Sequence, residues 1–314
     1  MFEPDFIKTT LNEVYNLFKS ENSGAVATYI PELAKVNPDV FSLSLTDVSG
    51  RTFSSGDSSF GFTMQSTSKP VLYGLALSQR GSDFVHSKVG VEPTGEAFNS
   101  IIELEEKSHR PFNPMINSGA IATTSLIQGN DFKSKLKTIL DHFELYVGHS
   151  LVVDENVYES EQRTAHRNRA IAYLMKHFNV IDTDIEETLS LYFKQCSLVV
   201  TTPDLSRIAA TLANQGLSPG TDQSIIQPEL VTQILSLMFS CGMYDTAGKW
   251  AFRVGLPAKS GVSGAILASA PGRFGMSVFS PRIDEHGHSV RGRLAIEEIG
   301  RRLNANIFKM TQGN

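Results

Sequence analysis

The chain has little cysteine: of 314 residues only 2 are cysteine, and Cys196 and Cys241 show neither Cys-x-x-Cys nor Cys/His ligand spacing. That scarcity argues against a disulfide framework and a zinc site, and both thiols are expected reduced and mostly buried. The 8 histidines form no His-Glu-x-x-His, and no Gly-x-Ser-x-Gly elbow, P-loop or Gly-x-Gly-x-x-Gly accompanies them. The simplest metalloprotease, esterase and nucleotide-binding readings fall away, leaving His109, His142 and His166 as surface or structural groups and no metal or organic cofactor to expect. No run approaches the ~20 apolar residues that span a bilayer. Met1-Phe2-Glu3-Pro4-Asp5 carries acids where a secretory leader needs positive charge, so the expected location is cytoplasmic, away from any membrane. Positive charge is also short: the net charge is -5 and the pI about 5.9. The arginine clusters (Arg163, Arg167, Arg169; Arg291, Arg293, Arg301, Arg302) are brief and mixed with acids, so nucleic acid is not an expected partner.

What is present suits an ordinary globular protein. With 41% apolar and 19% charged residues the chain can bury enough surface to offset its ordering entropy. Its length favours one large domain or two lobes. Phe6, Ile7, Leu11, Val14, Tyr15 and Phe18 recur at helical intervals, predicting an amphipathic helix over 5–20. Phe41-Ser42-Leu43-Ser44-Leu45 alternates with period two, and Val48-Ser49-Gly50 turns it into a second strand through Thr52-Phe53. Helical spacing then dominates: 66–80, a break at Gly81, 117–129, 131–145, 161–178, 203–215 and 228–240. Strand alternation returns at 250–256, 262–269 and 273–280, with Pro271-Gly272 as a hairpin turn, before a closing helix over 291–309.

Hairpins at both ends without β-α-β alternation predict a mixed α/β class of the α+β kind: one antiparallel sheet flanked by terminal helices, plus an all-helical lobe. Residues 1–65 and 241–314 supply the sheet lobe and 66–240 the helical one, within a single domain over 1–314. A cleft between them is the natural place for a site.

The most informative stretch is Gln65-Ser66-Thr67-Ser68-Lys69-Pro70, opening an apolar helix. Serine and lysine one helical turn apart project from one face, so the amine stands beside the hydroxyl. A serine attacks poorly unless a base takes its proton, and a desolvated or crowded lysine loses its own proton near neutral pH, which makes Ser66 the nucleophile and Lys69 the base. Pro70 is tolerated in the first turn, consistent with a helix start that aims its positive end at the reacting carbonyl. Lys259-Ser260-Gly261 before the apolar strand from Val262 matches the Lys-Thr/Ser-Gly element that accompanies Ser-x-x-Lys in beta-lactamases and penicillin-binding proteins. The strand edge there offers the Val262 N–H, with that of Ser66, as an oxyanion hole.

Several ordered motifs together resemble the serine-dependent glutaminase family. They are Tyr29-Ile30-Pro31, Gln65-Ser66-Thr67-Ser68-Lys69, Asn113-Pro114-Met115-Ile116-Asn117-Ser118-Gly119-Ala120-Ile121, Glu161 with Arg167-Asn168, Tyr192 with Gln195-Cys196-Ser197, Cys241-Gly242-Met243-Tyr244-Asp245 and Lys259-Ser260-Gly261-Val262-Ser263-Gly264. The similarity runs from the first helix to the last strands. It implies a beta-lactamase/D,D-peptidase-like fold, L-glutamine as substrate, acyl-enzyme hydrolysis to L-glutamate and ammonia, and a homodimer or homotetramer. It also implies Ser66 and Lys69 as the catalytic pair, with Tyr29, Gln65, Asn117, Glu161, Asn168, Tyr192, Tyr244 and Val262 around the substrate. The one departure from the usual pattern is Pro70, which touches helix geometry and no reacting atom.

Each of these residues has an ordinary reading beside the chemical one. Glu161 and Asn168, two helical turns apart on a stripe with Ala165, Ala172 and Met175, are expected to hold the substrate's ammonium and carboxylate, although an exposed Glu and Asn near a helix start are common. Asn117 at a helix start reads equally as an N-cap. Tyr29, Tyr192 and Tyr244 read as core tyrosines with one wet edge, or as a set in which Tyr244 or Tyr29 relays a proton from Ser66 to departing ammonia. Two alternatives stay open: a beta-lactamase or D,D-peptidase-like hydrolase using the same Ser66, Lys69 and Lys259, and a non-catalytic amino-acid-binding protein on the same fold.

Overall fold

The computed structural model describes residues 3–95 and 109–309. Five strands form one antiparallel sheet: β1 (Ser42–Asp47), β2 (Thr52–Gly56), β5 (Ala258–Ser260), β6 (Ala265–Ala270) and β7 (Phe274–Phe279), in the order β2-β1-β7-β6-β5. The N-terminal hairpin meets the C-terminal one through β1 and β7, with Leu43 opposite Val278 and Leu45 opposite Met276. A separate two-stranded ladder pairs β3 (Phe62–Thr63) with β4 (Val199–Val200) beside the Ser66 turn.

The period-two pattern of β1 sorts its side chains between two different covers. Leu43 and Leu45 enter the core shared with α1 (Pro4–Phe18) and the last helix, α12 (Val290–Arg302), whose Ile7, Leu11, Val14, Ile296 and Ile299 complete it. The serine and threonine face is not solvated, as alternation in an antiparallel sheet commonly implies. It lies under helix α9 (Thr202–Ala213): Ser44 Oγ donates to Thr202 Oγ1 at 2.9 Å, Thr46 Oγ1 and Ser206 Oγ are 2.7 Å apart, and Ser277 Oγ donates to the Thr202 carbonyl at 2.6 Å. The approach is close enough that a Cβ on Gly275 would stand 2.1 Å from the Ala210 nitrogen. The sheet is thus sandwiched between the terminal helices and α9, which joins it to the other helices.

Those helices are α2 (Lys69–Arg80), α3 (Ser82–Lys88), α4 (Asn117–Ser125), α5 (Phe132–Val147), α6 (Glu155–Thr164), α7 (His166–His177), α8 (Ile185–Cys196) and α10 (Pro228–Cys241). Four expectations need correction. Residues 250–256 are not a strand: α11 (Ala247–Arg253) runs there, because Trp250 and Val254, one turn apart, bury together while Phe252 stays 88% exposed. The expected helix over 161–178 is broken at Ala165, whose ψ of 36° ends α6 before α7 begins, so Glu161 and Asn168 do not share one helical stripe. Helix α8 was absent from the expectation, although Asp184 caps it by accepting the Glu187 N–H at 2.8 Å and Ile185, Leu189, Tyr192, Phe193 and Cys196 bury its face. The closing helix ends at Arg302 rather than 309. No described helix is long and apolar enough to cross a membrane.

Candidate active site

The Ser66 segment is a 3-10 turn, Gln65–Ser68, running into α2 at Lys69. Thr67 Oγ1 donates to the Met64 carbonyl at 2.6 Å and Ser68 Oγ to the Gln65 carbonyl at 2.8 Å, so the neighbouring hydroxyls hold the turn shut. Pro70 falls within the first helical turn, where its missing N–H is not needed. Gln65 itself has φ of +48°, a left-handed conformation that is costly outside glycine and recurs at functional sites. Ser66 and Lys69 are 7% and 1% exposed.

Among the described residues Lys69 has no hydrogen-bonded carboxylate. Its Nζ donates to Asn117 Oδ1 at 2.8 Å and to the Met115 carbonyl at 3.4 Å. Burial lowers its ammonium from 10.5 to about 8, with Glu161 pulling the other way. Asn117 does not cap α4; its amide donates to Asn168 Oδ1 at 3.2 Å while its Oδ1 also accepts from Tyr192 Oη at 3.4 Å. The capping reading of Asn117 thus fails, and the residue is the link between the lysine, a tyrosine and the α7 asparagine.

Beside Asn117 a cavity of about 330 Å³ opens, walled by Tyr29, Ile30, Glu161, Thr164, Arg167 and Asn168 among others. Glu161 and Asn168 both reach it from their separate helices, across the bend at Ala165. Glu161 is 5% exposed, and burial raises its carboxyl from 4.5 to about 8, with Lys69 and the adjacent Gln65 amide opposing. The Gln65 amide faces the Glu161 carboxyl, whose Oε2 has no close hydrogen-bond partner among the described residues. A buried carboxyl oxygen left without a close partner at a cavity marks a polar ligand's place.

The C-terminal part of the chain closes the other side. Tyr244, at φ +50°, hydrogen-bonds with Ser66 and donates to the Ser260 carbonyl at 3.3 Å; burial pushes its phenol up to about 12. Val262 lies in the turn after β5 rather than in a strand, and among the described residues no backbone carbonyl accepts its N–H. Gly261 makes the approach possible: a Cβ there would come within 3.0 Å of the Met64 carbonyl and 3.4 Å of the Ser66 nitrogen. The Ser66 N–H belongs to the first turn of its 3-10 helix, where no intrahelical acceptor is available. Tyr29 stands apart: at 52% exposure it forms the outer wall of the cavity, its phenol within electrostatic reach of Glu161 and Tyr244. Arg167 and Thr164 also line the cavity, and the pattern of apolar spacing gave no signal for either.

Comparison with known proteins gives a consistent result. The family model described as Glutaminase matches residues 24–308. A curated glutaminase of Trichormus variabilis is 51% identical over 306 residues, spanning 98% of this chain and 91% of that protein. Among solved structures, the probable glutaminase YbaS superposes with a TM-score of 0.96 at 38% identity, covering 98% of this chain and 100% of that one. A probable glutaminase from Bacillus subtilis, complexed with 6-diazo-5-oxo-L-norleucine, has a TM-score of 0.89 at 34% identity and covers 98% and 97% of the two chains.

Proposed function

The chain belongs to the glutaminase family, and we propose that it hydrolyses the side-chain amide of L-glutamine through an acyl-enzyme on Ser66, yielding L-glutamate and ammonia. Lys69 takes the Ser66 proton as the serine oxygen bonds to the amide carbon. The N–H groups of Ser66 and Val262 receive the developing oxyanion. The C–N bond then breaks as the leaving nitrogen gains a proton, relayed by Tyr244, and ammonia departs. Water adds to the resulting ester, displaces the serine oxygen and releases glutamate, and Ser66 recovers its proton.

Glu161 receives the substrate's ammonium and Asn168, with Asn117, its carboxylate. Gln65, Tyr29 and Tyr192 bound the remainder. The observation that carries this reading is the buried Glu161 carboxylate with an unpartnered oxygen, across Asn117 from a lysine whose pKa burial has brought to about 8. A cytoplasmic location and a homodimer or homotetramer belong to the same reading, as does the division of the chain into a sheet lobe (1–65, 241–314) and a helical lobe (66–240).

An ammonia-release assay on L-glutamine, L-asparagine and D-glutamine tests it. A site that hydrogen-bonds both ends of the amino acid rejects misfits by roughly 100-fold or more, so L-glutamine should be the only good substrate of the three. Equal rates on asparagine and glutamine would overturn the roles given to Glu161, Asn117 and Asn168.

A further inference from the structure

His288 takes no part in the reaction as built so far, yet it is 0% exposed and lies against the site. Its ring stacks on Tyr244, with centroids 5.4 Å apart and planes inclined 15°. Both ring nitrogens are engaged: Nε2 stands 2.9 Å from Thr246 Oγ1 and Nδ1 2.8 Å from Ser260 Oγ. The neighbouring bonds fix which nitrogen carries the proton. Thr246 Oγ1 commits its own hydrogen to the Met243 carbonyl at 2.8 Å, so it accepts from His288 Nε2–H, and Nδ1 accepts from the Ser260 hydroxyl. Burial lowers the imidazolium to about 4, which keeps the ring in this neutral, one-proton form near neutral pH.

The ring is held from behind. Asp284 Oδ1 accepts the N–H groups of His286 and His288, each at 3.0 Å, and the Asp284 N–H donates to the His288 carbonyl at 2.9 Å, closing the loop after β7 into a tight turn. From that turn His286 Nδ1 also lies 2.8 Å from Asp245 Oδ2. Each residue of the 3-10 turn Tyr244–Thr246 is therefore met by one of the two histidines: Tyr244 and Thr246 by His288, Asp245 by His286. That turn carries Tyr244 in its left-handed conformation, which a tyrosine adopts at a cost and keeps only where the surroundings over-determine it. Filling the space behind Tyr244 would need no polar ring, since an apolar side chain is buried there at less cost.

We infer that His288 is a positioning residue for glutamine hydrolysis: its bonds to Thr246 and Ser260 and its ring on Tyr244 lock the Tyr244–Thr246 turn, and so keep the Tyr244 hydroxyl on Ser66. The inference deepens the reading above and rests on Tyr244 acting at Ser66. Other residues wall the cavity beside Asn117, so substrate binding should survive a change at His288 while the chemical step should not.

A double-mutant cycle on the full chain tests it, with kcat, KM and Tm measured for His288→Phe, Tyr244→Phe and the pair. His288→Phe keeps a ring against Tyr244 and loses both bonds. It should lower kcat about 30-fold with KM within about threefold, and in the Tyr244→Phe background should lower it by less than about threefold more, because the hydroxyl it positions is gone. His288→Gln, whose amide can return a donor to Thr246, is the second variant and should hold kcat within about fivefold of wild type. Wild-type kcat in folded His288→Phe, an undiminished loss in the Tyr244→Phe background, or a His288→Gln protein no faster than His288→Phe overturns the inference. Failure of both variants to fold would make His288 a residue of the core alone and also overturn it. A fully active Tyr244→Phe protein would instead defeat the relay assigned to Tyr244, which separates the two failures.

Discussion

Lys69 and Glu161 change protonation in the same pH range from opposite directions, one lowered to about 8 and the other raised to about 8, both by burial. Each must lose a proton to serve the proposed reaction, Lys69 to accept from Ser66 and Glu161 to receive an ammonium. As pH rises through that range both reach the working form, so kcat/KM should climb from about pH 7 to about pH 9. Initial rates of ammonia release across that interval check this, and a flat profile would contradict it. At this scale the placing of Ser66 and Lys69 at the start of one helix, within a turn of each other, was legible in the spacing alone. The partners of Lys69 were not: Asn117 reads as a helix cap in sequence, and only the packing of α4 against α2 turns its side chain onto the amine. Tyr244 was legible as a candidate but not as the hydroxyl on Ser66, because that contact joins residues far apart in the chain.

Among elements, α9 lies close on the sheet. The absent side chain at Gly275 permits it, so Gly275→Ala, whose Cβ would stand 2.1 Å from the Ala210 nitrogen, should destabilise the protein by ~2 kcal/mol or more. Urea unfolding would show a lower midpoint at unchanged slope. The strands β1, β2, β6 and β7 and the Pro271-Gly272 turn were readable from period-two alternation, and α1, α5, α9 and α10 from helical spacing. Helix α11 was not, because Trp250, Phe252 and Val254 alternate as a strand would and only burial reveals which pair faces inward. The bend at Ala165 was equally hidden: alanine favours helix, and the requirement that Glu161 and Asn168 reach one cavity from different directions is tertiary.

For the whole molecule, the joining of the two chain ends is what makes the sheet continuous. Helices α1 and α12 pack together on it, and Glu298, paired with Arg301 and Arg302, anchors the arginine that also reaches Glu13 on α1. These bonds hold the Glu298 carboxyl down at about 2, below its ordinary 4.5. A depressed carboxylate contributes stability above its unfolded value that disappears as pH falls through the folded one. Glu298→Gln should therefore cost ~0.5–1 kcal/mol at pH 7 and only a small part of that near pH 2, measurable by thermal unfolding at both. The α+β class and the terminal location of the sheet were legible, since hairpin patterns occupy both ends of the chain; the polar interface under α9 was not, because hydroxyls on a strand ordinarily signal water.

The central claim is that one serine forms the covalent intermediate. Treating the protein with 6-diazo-5-oxo-L-norleucine, a glutamine-shaped diazoketone, and mapping the adduct by peptide mass spectrometry tests it most directly. A single adduct on the Ser66 peptide is predicted, absent from Ser66→Ala, together with a loss of ammonia release of at least ~1,000-fold in that variant. An adduct on any other residue, or near-normal turnover by Ser66→Ala, would contradict it.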